Sequence, residues 1–159
     1  MDLDNEIKNW IQSLGLSIFT PPQAKEFFHI SVTPPQGGPV VDIVRPLENS
    51  NFYIIAMGVG VHPTHQNALK ELKDSDRKKF INEIKYDILK MGLDVIFLPM
   101  GQEVPQIIQI TRVVIAENLT ANEFMNSFYF VRNAGMLVIF KFTDTFGNIP
   151  QGQTSTKYL

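Results

Sequence analysis

Apolar residues recur along this chain with two different periods, and the changes from one period to the other mark out its elements. Leu3, Ile7, Trp10, Ile11 and Leu14 repeat at helical spacing, with Asp2 or Asp4 available as a cap and Gly15 suited to a left-handed stop. Phe28, Ile30 and Val32 then alternate with His29 and Ser31, the pattern of a strand with one wetter face. The run Thr33-Pro34-Pro35-Gln36-Gly37-Gly38-Pro39 forces a turn, because Pro and Gly cannot sustain a ladder. Val40 to Val44 and Phe52 to Val61 read as the next two strands, and three antiparallel strands joined in sequence predict a meander. Ala68, Leu69 and Leu72 suggest a short helix. Asp74 or Ser75 can cap a longer one that puts Phe80, Ile84, Ile88 and Met91 on one face and stops at Gly92. Leu93 to Leu98 and Ile107 to Glu117 read as two further strands around a loop containing Pro99, Gly101 and Pro105.

The last segment, Thr120 to Phe146, opens with a capping box: Thr120 is followed three residues later by Glu123. Phe124, Phe128, Val131, Gly135, Val138 and Phe142 make one apolar helical stripe. Phe130, Met136, Leu137, Ile139 and Phe140 lie on other sides and exceed what one buried face needs. Within it, Met136 to Thr143 fits either a helix or a buried strand by composition alone. The predicted order is α-β-β-β-α-β-β-α, an α+β class with helices packed on an antiparallel sheet.

The apolar surplus has a functional consequence. Leaving Phe130, Leu137 and Phe140 in water forfeits roughly 1.5 to 3 kcal/mol apiece. A second subunit or a protein client would recover it, so these three are the expected partner-binding residues and a homodimer is the expected assembly.

Composition narrows the remaining classes. The chain has 159 residues, is 44% hydrophobic and carries a formal charge of -2. Such a chain fits one domain with one core, expected over 1–149, followed by a flexible tail at 150–159. The charge balance lacks the basic footprint that nucleic acid demands. Cysteine is absent, which excludes disulfides, thiolate metal sites and cysteine nucleophiles. Met1-Asp2-Leu3-Asp4-Asn5-Glu6 is acidic and resembles no leader, so a cytoplasmic location is expected, and Asn118-Leu119-Thr120 reads as a helix approach rather than a glycosylation site. No run reaches the length needed to span a bilayer; Ala134 to Phe140 is bounded by Arg132 and Lys141.

Four features invite a chemical reading. His62-Pro63-Thr64-His65 brings two imidazoles close in sequence, but a metal would need a third ligand, such as Asp74 or Asp76; the alternative is a helix start with Thr64 as cap. Gly58-Val59-Gly60 follows a strand like a dinucleotide fingerprint, which then fails because Pro63 stands where the third Gly belongs. Asp42, on the same side of its strand as Val40 and Val44, could be a desolvated general acid or could pair with a base such as Arg112 or Arg132. His29 faces the wetter side. Together His62, His65 and Asp42 define the competing expectation, a small-molecule-binding or hydrolytic domain; no catalytic, cofactor or metal position is assigned.

The segments Thr64-His65-Gln66-Asn67-Ala68-Leu69, Asp74 to Phe80, Ile88 to Gly92 and Val131-Arg132-Asn133-Ala134-Gly135-Met136-Leu137-Val138-Ile139 resemble a small archaeal family of uncharacterised proteins. The resemblance implies an α+β domain like the type III secretion chaperones, with helices on a twisted antiparallel sheet and copies that often associate. It tips Met136 to Thr143 towards helix and carries over no catalytic residue. The resulting expectation is a non-enzymatic protein-binding module, chaperone-like or adaptor, acting as a homodimer without a cofactor.

Overall fold

A computed structural model of the protein describes residues 2–35 and 37–149; the expected tail at 150–159 lies outside the described residues. Its elements run α1 (Leu3–Ser13), β1 (Ser17–Phe19), β2 (Phe28–Thr33), β3 (Val41–Arg45), β4 (Phe52–Gly60), α2 (Pro63–Glu71), α3 (Asp74–Lys90), β5 (Asp94–Leu98), β6 (Ile107–Ile115) and α4 (Ala121–Phe146). The class is α+β, with four helices among the described residues and a six-stranded antiparallel sheet in the order β1-β2-β3-β4-β6-β5.

The observed order roughly fits the predicted one, with two differences. Ser17–Phe19 adds an edge strand, paired Ser17 to Thr33 and Phe19 to Ser31, that is too short to show a period in sequence. The segment after β4, counted once in the predicted order, holds the short and the long helix that its pattern suggested, separated where the chain leaves the helical region at Leu72 before restarting at Asp74. As predicted, β2, β3 and β4 form a meander. Met136 to Thr143 is helix throughout.

Strand alternation sorts the sheet into two faces. Ile30, Val32, Val41, Ile43, Ile55, Met57, Val59, Ile108 and Ile110 point inward, where they meet Ile7 and Ile11 of α1, Ile84 and Ile88 of α3, and the buried stripe of α4. α4 lies across β3, β4 and β6; α1 packs on α4 and β1, and α3 on β5 and α4. Gly135 permits the closest approach. A Cβ there would sit 2.1 Å from the Met57 sulfur, so any side chain at this position requires the buried thioether to move. One polar cluster ties α1 to the sheet. Asp4 accepts hydrogen bonds from Arg45 Nε at 3.1 Å and from the Tyr53 hydroxyl at 2.5 Å, all three being largely buried. Burial, then the bond to Asp4, pushes the Tyr53 phenol far above its ordinary range.

The opposite sheet face has a different character: Phe19, Ile96, Val113 and Ile115 project from it and are exposed.

Candidate functional site

Helix α4 starts as its sequence dictates. The Thr120 hydroxyl accepts from the Glu123 amide at 3.2 Å, and the Glu123 carboxylate accepts from the Thr120 amide at 3.1 Å. Phe124, Phe128, Val131, Gly135, Val138 and Phe142 are buried, which uses up one side of the helix. Phe130, Leu137 and Phe140 lie on another side. They are seven and three residues apart, about two turns and one turn, so they align along the axis. Phe130 is 44% exposed, Phe140 is 55% exposed, and Leu137 between them is half-buried. Leu137 and Phe140 join Asn133, Met136, Lys141 and Asp144 around an open groove of about 400 Å³. Lys141 is held at its rim by Asp87 of α3 at 3.1 Å.

Phe130 faces a second, larger hollow of about 520 Å³ between β6 and the first half of α4. The Arg112 guanidinium lies 5.5 Å from the centre of its ring, a cation-π contact. Asn126 and the buried Ser127 line the same hollow.

The residues of the competing expectation are not brought together. His62 is the N-cap of α2: its Nδ1 accepts from the Thr64 amide at 3.1 Å while Pro63 fills the first turn. The cap is therefore the imidazole rather than Thr64. His65 is buried, stacks on Phe142 with ring centres 5.6 Å apart, and places Nε2 2.8 Å from the Gly147 carbonyl. It works as a helix-packing group. Both line a hollow of only about 40 Å³. Asp42 lies on the outer sheet face, away from the helices. Among the described residues, no three His, Asp or Glu side chains are grouped to hold a metal ion.

Asp42 does have a partner that sequence reasoning missed. Its Oδ1 accepts from Ser31 Oγ at 2.5 Å and meets His29 Nε2 at 2.9 Å, while His29 Nδ1 meets Glu26 Oε2 at 3.0 Å. Arg112 and Arg132, the expected bases, point elsewhere, at Phe130 and Tyr129. Both imidazole nitrogens face carboxylate oxygens, so the doubly protonated ring, donating twice, is the form that fits. Burial alone would lower the His29 pKa, but the bonds and charges of Asp42 and Glu26 outweigh it and raise the value above 6.5. The serine hydroxyl donates to the aspartate rather than to the imidazole. The imidazole is therefore not placed as a base for the serine, and the chain of bonds cross-links β2 to β3. The alternation of His29 and Ser31 was the available signal; the register that sets Ser31 opposite Asp42 was not.

No helix of the described residues is long and apolar enough to cross a membrane. Comparison with curated proteins finds no match. Among solved structures, the fold is similar to that of an uncharacterized protein from Methanothermobacter thermautotrophicus, with a TM-score of 0.81 and 24% identity over 91% of this chain and 99% of that one. That likeness establishes the fold alone. At the level of family, residues 3–142 match the pattern described as Uncharacterized conserved protein (DUF2299), and the chain belongs to that family.

Proposed function

We propose that the protein is a non-enzymatic protein-binding module, chaperone-like or adaptor in role, that acts in the cytoplasm as a homodimer. The single domain is taken to span 1–149, with 150–159 as its tail, and its architecture to be like that of the type III secretion chaperones, a reading that the order α-β-β-β-α-β-β-α supports once the short β1 is set aside and α2 is counted with α3. The observation that carries the reading is the aligned exposure of Phe130 and Phe140 on α4, with Leu137 between them beside an open groove. Side chains of this size rarely line up in water on a single element unless something covers them. A second α4 laid antiparallel along the first would bury the same residues of both copies in one isologous contact. The polar groups that first invited an enzymatic reading, His62, His65 and Asp42, are each occupied by a structural contact.

Co-expression of two differently tagged copies, followed by capture on one tag, tests the proposal. Wild-type copies are expected to co-purify, together with a reproducible client, and Phe140→Glu copies to lose both. Recovery of a single copy from the wild type, or undiminished capture by Phe140→Glu, would overturn it.

A further inference from the structure

The paired strands end unevenly. In the β4–β6 ladder the even-numbered residues of β6 point at β4, in step with Ala116 just beyond the strand, whose amide bonds the Asn51 carbonyl at 2.8 Å in the same register. Odd-numbered residues must therefore point the other way, because antiparallel partners alternate sides. Ile107, Gln109 and Thr111 find Leu98, Ile96 and Asp94 there. Val113 and Ile115 find nothing: β5 begins at Asp94, and the chain before it turns away at Gly92, φ +75°, into α3. Among the described residues no backbone or side-chain hydrogen bond reaches their amides or carbonyls on that edge. Their side chains are 51% and 55% exposed.

This bare stretch of edge runs along the hollow of about 520 Å³ under α4. Inside it Arg112 has the Phe130 ring as its contact and, among the described residues, no carboxylate or hydrogen-bond acceptor. Two carboxylates also line the hollow: Glu123, at the rim, is already engaged by Thr120, and Glu117 is exposed beyond the end of β6 and makes no ion pair with Arg112. An unpaired edge supplies main-chain affinity, and a guanidinium on an aromatic ring supplies a charge preference.

Resting on the reading of the chain as a protein-binding module, we infer that Val113–Ile115 of β6 is a docking edge for an extended acidic segment of a partner protein. The segment adds as a strand in line with β5. Residues opposite Val113 and Ile115 exchange main-chain hydrogen bonds with them and turn apolar side chains to the outer sheet face. The residue between, opposite Val114, points under α4, where a carboxylate reaches Arg112 diagonally across the pair. The occupant is thus a strand of apolar–acidic–apolar pattern.

The probe is the capped peptide Thr-Val-Glu-Val-Thr, added to the full chain and followed by amide chemical shifts. Shifts are expected at Val113 and Ile115, and replacing the peptide's Glu by Gln should weaken binding about tenfold, the worth of one charge-assisted hydrogen bond. In Arg112→Gln the two peptides should bind alike. N-methylation of the peptide's valines, or Val113→Pro in the protein, should abolish binding; proline is tolerated at an unpaired edge, and the methylated peptide leaves the protein intact in any case. No binding by the acidic peptide, shifts elsewhere, or indifference to N-methylation would overturn the inference. Sedimentation of the same samples reports separately on the α4 face: Phe140→Glu should alter mass and leave peptide affinity unchanged, so either claim can fail without the other.

Discussion

Gly135→Ala is a substitution whose usual effect the fold should reverse. In an unencumbered helix interior, Gly to Ala stabilises by about 1 kcal/mol through backbone entropy. Here the new methyl would lie 2.1 Å from Met57 Sδ, 2.3 Å from its Cε and 3.3 Å from its Cγ. Met57 is flexible, but it is fully buried beneath α4, so its thioether can move only by displacing packed neighbours. Overpacking of this kind costs about 1–3 kcal/mol, which leaves a net loss of about 1 kcal/mol after the propensity gain. At a fixed protein concentration the urea midpoint should fall by roughly 0.5 M with an unchanged slope. The pair with Met57→Ala is the sharper test. Alone, Met57→Ala should cost about 2–5 kcal/mol by opening a cavity. In the double variant the methyl introduced by Gly135→Ala occupies part of that cavity and the helix keeps its propensity gain, so the double should be more stable than the sum of singles by at least about 1 kcal/mol. An additive cycle, or a Gly135→Ala protein more stable than wild type, would refute the close-approach account.

Two other substitutions probe the polar clusters. Asp4→Ala strips the carboxylate from Arg45 and Tyr53 and leaves the guanidinium partly buried; a loss of about 3–5 kcal/mol in urea unfolding at neutral pH is expected, and a loss under about 1 kcal/mol would mean that the cluster is solvated. For His29 the sign follows from its raised pKa. The native state holds the proton more tightly than the unfolded chain, so the contribution is complete below about pH 6.5 and drains away as pH rises through the native value. The stability gap between wild type and His29→Gln should therefore narrow on going from about pH 6 to about pH 9, and a gap that widened would reverse the assignment.

Much of the frame could be read from residue order, because it rests on local chemistry. The Thr120–Glu123 box, the Gly92 stop and the helical stripe of α4 are near-neighbour effects, and they appear where the pattern placed them. What escaped depends on distant parts of the chain. Strand β1 is three residues long and exists because β2 offers it an edge. The partners of Asp42 follow from a register between β2 and β3, which no property of Asp42 encodes. At α3, Asp74 sits one place inside the helix and bonds Arg77 at 2.6 Å rather than capping, since Arg77 also reaches Glu103 on the loop before β6. The open edge at Val113 and Ile115 results from β5 stopping short of β6, a mismatch in length that only the pairing reveals.

The exposed side of α4 is the feature on which the functional reading rests, and sedimentation equilibrium tests it without needing a client. Across a concentration series the wild-type chain should give twice the mass of one chain, dissociating on dilution, and Phe140→Glu should give one chain at every concentration with an unchanged urea midpoint when both are measured as monomers. A wild-type protein that stays a single chain up to high concentration, or a Phe140→Glu protein that still doubles, would contradict the account.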